Sequence, residues 1–176
     1  TAKKKLPVVP PSFEEYAEAI GKIMVQRFGS DGPCLVVEPG VSMIADAMDY
    51  VVQVLDERCS RNMRYLTVDG SVNCLFPTGS RYTPDFSVCA SEKRDPIQCH
   101  VAGYTCMEHD ILMSDVELAA APGDFIVFHN RGAYSNVYKP PFIKAAPPII
   151  GQDGAVYAQR QSFEDVISSY VVGAKQ

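Results

Sequence analysis

Basic charge is scarce in this sequence. Its 176 residues carry 16 Lys and Arg against 21 Asp and Glu, a formal net charge of −5. A nucleic-acid partner needs a basic face to meet its phosphates, so a general nucleic-acid binder is excluded. The one basic run, Lys3-Lys4-Lys5, adjoins Pro-rich sequence and reads as a solvated lead-in. Long hydrophobic runs are missing as well. None approaches the roughly 18–20 residues of a membrane helix, and no apolar signal core follows the lysines. A cytoplasmic protein is the expectation, with no membrane partner. The six cysteines (Cys34, Cys59, Cys74, Cys89, Cys99 and Cys106) contain no CxxC pair, and His100, His109 and His129 stand at no ligand spacing. No metal site is expected. In a reducing compartment most of these thiols are expected to be small buried hydrophobes.

What is present is globular composition: 47% hydrophobic and 21% charged. Ser12-Phe13-Glu14-Glu15 is a capping box opening a helix to about Arg27. Its apolar Phe13, Tyr16, Ala17, Ile20, Ile23, Met24 and Phe28 recur at three- and four-residue steps, which predicts one buried face. Cys34-Leu35-Val36-Val37 is wholly apolar and predicts a strand covered on both faces. Helix, tight loop and buried strand form an α/β unit. After Met48 the pattern changes. Tyr50–Asp56, Met63–Val68, Val72–Phe76, Gln98–Ala102, Ile111–Met113, Asp124–Phe128 and Ala155–Arg160 read as short strands separated by Gly, Pro and Asp turns. The stretch 78–96 reads as loop. Ser162 opens a closing helix to about Val171. The expected architecture is mostly β. Residues 1–48 form a terminal α/β segment, and residues 49–176 a β-domain with a closing helix.

Four motifs then stand in order: Val37-Glu38-Pro39-Gly40, Asp69-Gly70-Ser71-Val72-Asn73, Gly103-Tyr104-Thr105-Cys106-Met107-Glu108-His109-Asp110, and Gly123-Asp124-Phe125 through Gly132-Ala133-Tyr134-Ser135. Each alone is short. Their order and spacing resemble the C-terminal half of the pyridoxal-phosphate-dependent ornithine/diaminopimelate decarboxylase family, whose members have an alanine-racemase-like barrel. The stretch from Phe128 to Ile143 is similar to a divergent bacterial branch.

The resemblance implies a sandwich- or barrel-like C-terminal β-domain, preceded here by the last α/β unit of an incomplete TIM-type barrel. It implies pyridoxal 5'-phosphate as cofactor and an amino acid or amino-acid conjugate as substrate. It places Glu38 at the position that pairs with the cofactor's ring nitrogen, where a buried anion keeps that nitrogen protonated. Gly40 and Tyr134 fall at the cofactor phosphate, one for close backbone approach and one as a hydroxyl donor. Cys106 matches the cysteine that crosses a two-fold interface and returns a proton after carbon dioxide leaves. Met107 and Asp110 fall near the substrate. Three departures matter. Val41 stands where the family usually has a phosphate-clamping Arg. Met107 replaces an acidic residue that binds a distal amine. Pro77 or Thr78 replaces another. Both acidic losses point away from a simple diamine-forming substrate.

The family's cofactor-bearing lysine, its catalytic His and its Gly-rich phosphate loop precede the matching segment, and none is visible here. None of the lysines follows a buried strand as that lysine would. The chain alone is therefore expected to be inactive. It is read as a piece of a larger enzyme or one chain of a split one, dimeric across composite active sites, with the barrel supplied by another segment or chain. The alternative is a catalytically silent relative that regulates an active partner, which Val41 and Met107 favour and the retained Glu38, Cys106 and Tyr134 oppose.

Overall fold

The computed structural model describes residues 10–75, 83–139 and 141–170. Eight strands follow one helix and a short helical turn. In chain order the elements are α1 (Phe13–Phe28), α2 (Val41–Ile44), β1 (Tyr50–Ser60), β2 (Met63–Val68), β3 (Phe86–Cys89), β4 (Ile97–Ala102), β5 (Ile111–Leu118), β6 (Phe125–Phe128), α3 (Ser135–Tyr138), β7 (Ile149–Ile150), β8 (Val156–Ala158) and α4 (Phe163–Ile167). Six strands form one sheet in the order β3-β6-β1-β2-β4-β5, and β7 pairs with β8. All neighbours in the large sheet are antiparallel except β2 and β4.

The long strand β1 curls the sheet. Its first half pairs with β6 and its second with β2, and a bulge between Val54 and Asp56 marks the change of partner. A bulge adds a residue on one side of the ladder and bends the strand, so the sheet closes over its own inner face. That face is filled by alternate residues: Val52 and Val54 of β1, Leu66 and Val68 of β2, Cys99 and Val101 of β4, Ile126 and Phe128 of β6. Two-residue periodicity thus becomes one continuous core. β5 breaks strict alternation: Leu112 and Met113 are both buried, and the β4–β5 register shifts beside them.

Several expectations need correction. Val72–Cys74 is a 3-10 turn, not a strand, because the Ser71 hydroxyl takes the Asn73 amide and the Asp110 carboxylate takes the Val72 amide. The loop expected over 78–96 contains β3, whose Phe86 and Val88 pack against the core. β5 runs five residues past Met113. Helix α1 has its capping box, with Glu15 N–H to Ser12 Oγ at 3.2 Å and Ser12 N–H to Glu15 Oε2 at 2.7 Å. Yet it buries no residue, and no strand forms at Cys34–Val37, where Val36 is 82% exposed. A strand exists only through a neighbour that takes its backbone hydrogen bonds, and the described residues provide none there. Four of the six cysteines are exposed, and only Cys99 is fully buried; all six are free thiols. Pro77, Thr78 and Val171 lie outside the described residues.

Two buried carboxylates hold the loops that leave the sheet. Asp124, at the entry to β6, accepts from the amides of Ser91 and Ala121, the Ser91 hydroxyl and the Arg94 guanidinium at 2.7–3.0 Å. These donors, the Ser91 amide foremost, hold its carboxyl below the usual range. A lowered native pKa contributes stability that is complete above the unfolded value and is lost as pH falls through the native one. Asp124→Asn should therefore cost about 3 kcal/mol at neutral pH and flatten the acid limb of the stability profile. Denaturant melts of both proteins between pH 7 and pH 3 check this, and parallel profiles would exclude it.

Candidate functional site

Gly40 sits at φ 54°, ψ −117°, a conformation that a residue with a Cβ adopts only under strain. An added Cβ there would lie 3.2 Å from the Tyr134 hydroxyl. The turn after Glu38-Pro39 and the Gly-Ala-Tyr turn are 94 residues apart in sequence and meet at that point. Their meeting is built by the backbone. The amides of Arg131 and Gly132 donate to the carbonyls of Met48 and Ala45 at 2.7 and 2.9 Å. Gly132 is required by contact, since a Cβ there would stand 2.0 Å from the Ile44 carbonyl oxygen. Tyr134 then turns at φ 62° into α3 and stacks on Tyr138 at 5.7 Å between ring centroids.

The neighbouring loop is held from beneath by His129. Its Nδ1 meets Asp49 Oδ2 and its Nε2 meets Ser87 Oγ, both at 2.9 Å, while Asp49 Oδ1 accepts the Asn130 amide. This Asp–His–Ser chain ties the end of β6 to β3 and to the start of β1. Arg131 is half-buried nearby, and that burial lowers its pKa.

Asp110 is not a substrate ligand. It is 2% exposed, and both carboxylate oxygens are taken: Oδ1 by the Ser71 hydroxyl at 3.0 Å and the Val72 amide at 2.7 Å, Oδ2 by the Thr105 amide at 3.0 Å and hydroxyl at 2.6 Å. A carboxylate with four donors in the core has no lone pair aimed outward. Its role is to fix the loop that carries Cys106. Cys106 itself is an exposed thiol. Met107 is half-buried, its amide on the Thr105 hydroxyl at 3.3 Å and its carbonyl accepting the Asp110 amide at 3.0 Å. Glu38 and His109 are exposed, and His100 Nδ1 accepts the Asp115 amide at 3.1 Å within the sheet. The structure therefore joins Gly40 to Tyr134, and it removes Asp110 from the candidate ligands.

Sequence reasoning missed a cleft of about 170 Å³ lined by Tyr50, Cys74, Tyr104, Lys139, Lys144 and Arg160 among others. Lys144 Nζ lies 4.4 Å above the Tyr104 ring centroid and donates to the Asp69 carbonyl at 3.3 Å. Burial pushes the Tyr50 hydroxyl and the Cys74 thiol upward, so both stay protonated at neutral pH. The available signal was three cations within the 22 residues 139–160 of a net acidic chain. Among the described residues no group of His, Cys, Asp and Glu is placed to hold a metal ion, and no helix is long and apolar enough to cross a membrane.

Residues 26–132 match the family described as pyridoxal-dependent decarboxylase, C-terminal sheet domain. The chain belongs to this family. A diaminopimelate decarboxylase of Synechocystis is 31% identical over 170 residues, 90% of this chain and 36% of that protein. The chain thus spans about a third of the length of this curated relative. Among solved structures, the diaminopimelate decarboxylase of M. jannaschii superposes with a TM-score of 0.83 at 21% identity, over 96% of this chain and 40% of that one. The Helicobacter pylori enzyme complexed with L-lysine gives 0.75 at 24%, over 92% and 40%. These two likenesses establish the fold: the curled β-sheet is that of the C-terminal domain in this family.

Two substitutions test the site's construction. Gly40→Ala should cost about 1–3 kcal/mol from backbone strain and displace the Tyr134 ring, seen as a shift of its aromatic NMR signals. Asp110→Asn should lower stability by about 3 kcal/mol, because an amide nitrogen would face donors. Unchanged melting of Asp110→Asn would return that residue to the substrate candidates.

Proposed function

We propose that this chain is the C-terminal portion of a pyridoxal-phosphate-dependent amino-acid decarboxylase. Residues 1–48 complete a barrel supplied by a preceding segment or a separate chain, and residues 49–176 form the β-domain. The observation that carries the reading is the convergence of Gly40 and the Tyr134 hydroxyl. A backbone without a Cβ beside a phenol donor is the cradle a phosphate group needs. The exposed apolar residues of α1 and of Leu35–Val37 support a missing barrel, since they are unburied here. The six free thiols suit a cytoplasmic setting, where they stay reduced.

In this reading Gly40 and Tyr134 hold the phosphate end. Glu38, at the end of its apolar run, sets its carboxylate at the ring nitrogen and keeps a proton there once the barrel buries it. Bound pyridoxal phosphate supplies the sink for the electron pair left when carbon dioxide departs. Cys106 gives its thiol proton to the substrate's α-carbon in the site of a partner subunit. Asp110 positions Cys106 through Thr105 and touches no substrate. Val41, exposed at the start of α2 where the family usually has Arg, favours a second reading, a silent subunit that regulates an active one.

Borohydride reduction of the assembled protein, followed by mass analysis, tests the first reading. The cofactor should be fixed to a lysine on the barrel-bearing segment or chain. Cys106→Ala should then lower kcat by about 10²–10⁴-fold with cofactor loading intact. An assembly whose turnover ignores Cys106→Ala would transfer the assignment to the regulatory reading. Tyr134→Phe should weaken cofactor binding by roughly tenfold, read by equilibrium dialysis of pyridoxal phosphate.

A further inference from the structure

Asp49, His129 and Ser87 lie in one row on the outward face of the sheet. Asp49 precedes β1, His129 follows β6 and Ser87 is in β3, and these three strands are neighbours. Phe128 and Phe86 turn into the core, so His129 and Ser87, next in sequence, turn outward. The distances order the protons. Asp49 Oδ2 is 2.9 Å from His129 Nδ1, and a carboxylate accepts without donating, so Nδ1 carries the hydrogen. Nε2 then has a free lone pair, and Ser87 Oγ, 2.9 Å away, donates to it. The Asn130 amide, on Asp49 Oδ1 at 3.1 Å, holds the carboxylate in place. A hydroxyl on a base, with the base oriented by a third group, is the arrangement that activates a serine.

Three further features suit attack by this hydroxyl. The first is the edge on which it stands. β3 is the last strand of the sheet, and the Asp85 carbonyl accepts the His129 amide at 2.9 Å. Asp85 and, two residues on, Ser87 therefore turn their backbone groups to β6. The Val88 amide faces the outer edge, where no strand pairs with it among the described residues. An edge amide one residue past the nucleophile is a donor available to a developing oxyanion. The second is positive charge. Arg131 Nε donates to the His129 carbonyl at 2.7 Å, and its guanidinium feels both Asp49 and Asp85. The third is access. Ser87 is exposed, and the His129 and Asp49 side chains are 38% and 45% exposed, so a small electrophile reaches the row.

We infer that Ser87 is an activated nucleophile that takes an acyl group from small activated esters, a reaction separate from the decarboxylase reading above. Ser87 Oγ bonds to the ester's carbonyl carbon as its proton passes to His129 Nε2. The bond from that carbon to the leaving alcohol's oxygen then breaks, and the proton on Nε2 goes to that oxygen. The acyl group stays as an ester on Ser87, and nothing is oxidised or reduced. Water entering in the alcohol's place gives a proton to Nε2 and attacks the same carbon. Ser87 then leaves with that proton, and the carboxylic acid is released. Asp49 is a positioning residue: it touches no ester and holds the ring in the required tautomer.

An alkyl fluorophosphonate is the probe, added to the assembled protein with its barrel-bearing part and read by intact and peptide mass. One adduct should form on Ser87, absent from Ser87→Ala and from the urea-unfolded parent. Ser87 is exposed, so Ser87→Ala should melt with the parent. His129→Gln should slow labelling by about 10²-fold, the loss of a general base. Asp49→Asn should slow it by about tenfold, the loss of one orienting bond. 4-Nitrophenyl acetate should give a burst of about one equivalent of nitrophenol from the parent and none from Ser87→Ala. The charged groups around His129 are Asp49 before β1, Asp85 before β3 and Arg131 on its own loop. Labelling of the parent should climb with pH through the histidine range, and His129→Gln should be flat, which a merely structural row would not show. No adduct, an adduct on another residue in place of Ser87, or equal labelling of the unfolded chain overturns the inference. So does a rate indifferent to His129→Gln. If that variant melts early, a flat pH profile of the folded parent overturns it instead. Labelling needs no bound cofactor, so failure here leaves the decarboxylase reading untouched.

Discussion

The Asp110 carboxylate is the constraint on which the working end of this sheet depends. It is buried, and its two oxygens accept four hydrogen bonds from two loops that are 34 residues apart. A bare carboxylate in the core would cost several kcal/mol, so the loops must stay where their donors reach it. That requirement turns Val72–Cys74 into a 3-10 turn and holds the Cys106 loop against it. It also brings Tyr104 and Cys74 to one cleft. An exposed thiol on a loop would otherwise wander. Here the residue before it is pinned through both its amide and its hydroxyl.

A second constraint works at the end of β6. The His129 ring and the backbone of Arg131 and Gly132 attach the Gly-Ala-Tyr turn to residues 45–49. Through this attachment the sheet domain grips the segment that leads from the Glu38 turn, and the Gly40–Tyr134 junction follows. The rest of residues 10–44 has no such grip. Its capping box is complete, while its apolar residues face solvent. Local hydrogen bonds form a helix without help, but burial of its face needs a second surface. The described residues offer no such surface.

Much of the β-domain was legible. Alternating apolar residues marked β1, β2, β4 and β6, and Ser12 and Ser162 each marked a helix start through the residue three places on. The motif order was sufficient to reach the family. The failures share a cause. β3 hides in polar sequence because it is a short edge strand with two inward residues, Phe86 and Val88, too few to show a period. Asp110 falls near the substrate by resemblance, and nothing in its own neighbourhood names Ser71 and Val72 as donors. The cysteines read as core because residue type says little about which side of a strand faces inward.

The sequence by itself determined the alternation that builds one curled sheet, the two capped helix starts and the set of chemical groups available: a thiol, a phenol, a carboxylate at a turn, and the glycine after Glu38-Pro39. Those depend on residues within a few positions of each other. Tertiary structure alone decided that Asp110 is an anchor, that Lys139, Lys144 and Arg160 share a cleft with Tyr104, and that Gly40 meets Tyr134 across 94 residues. Each of these is a contact between segments far apart in the chain, set by how the sheet curls and by which buried groups demand partners.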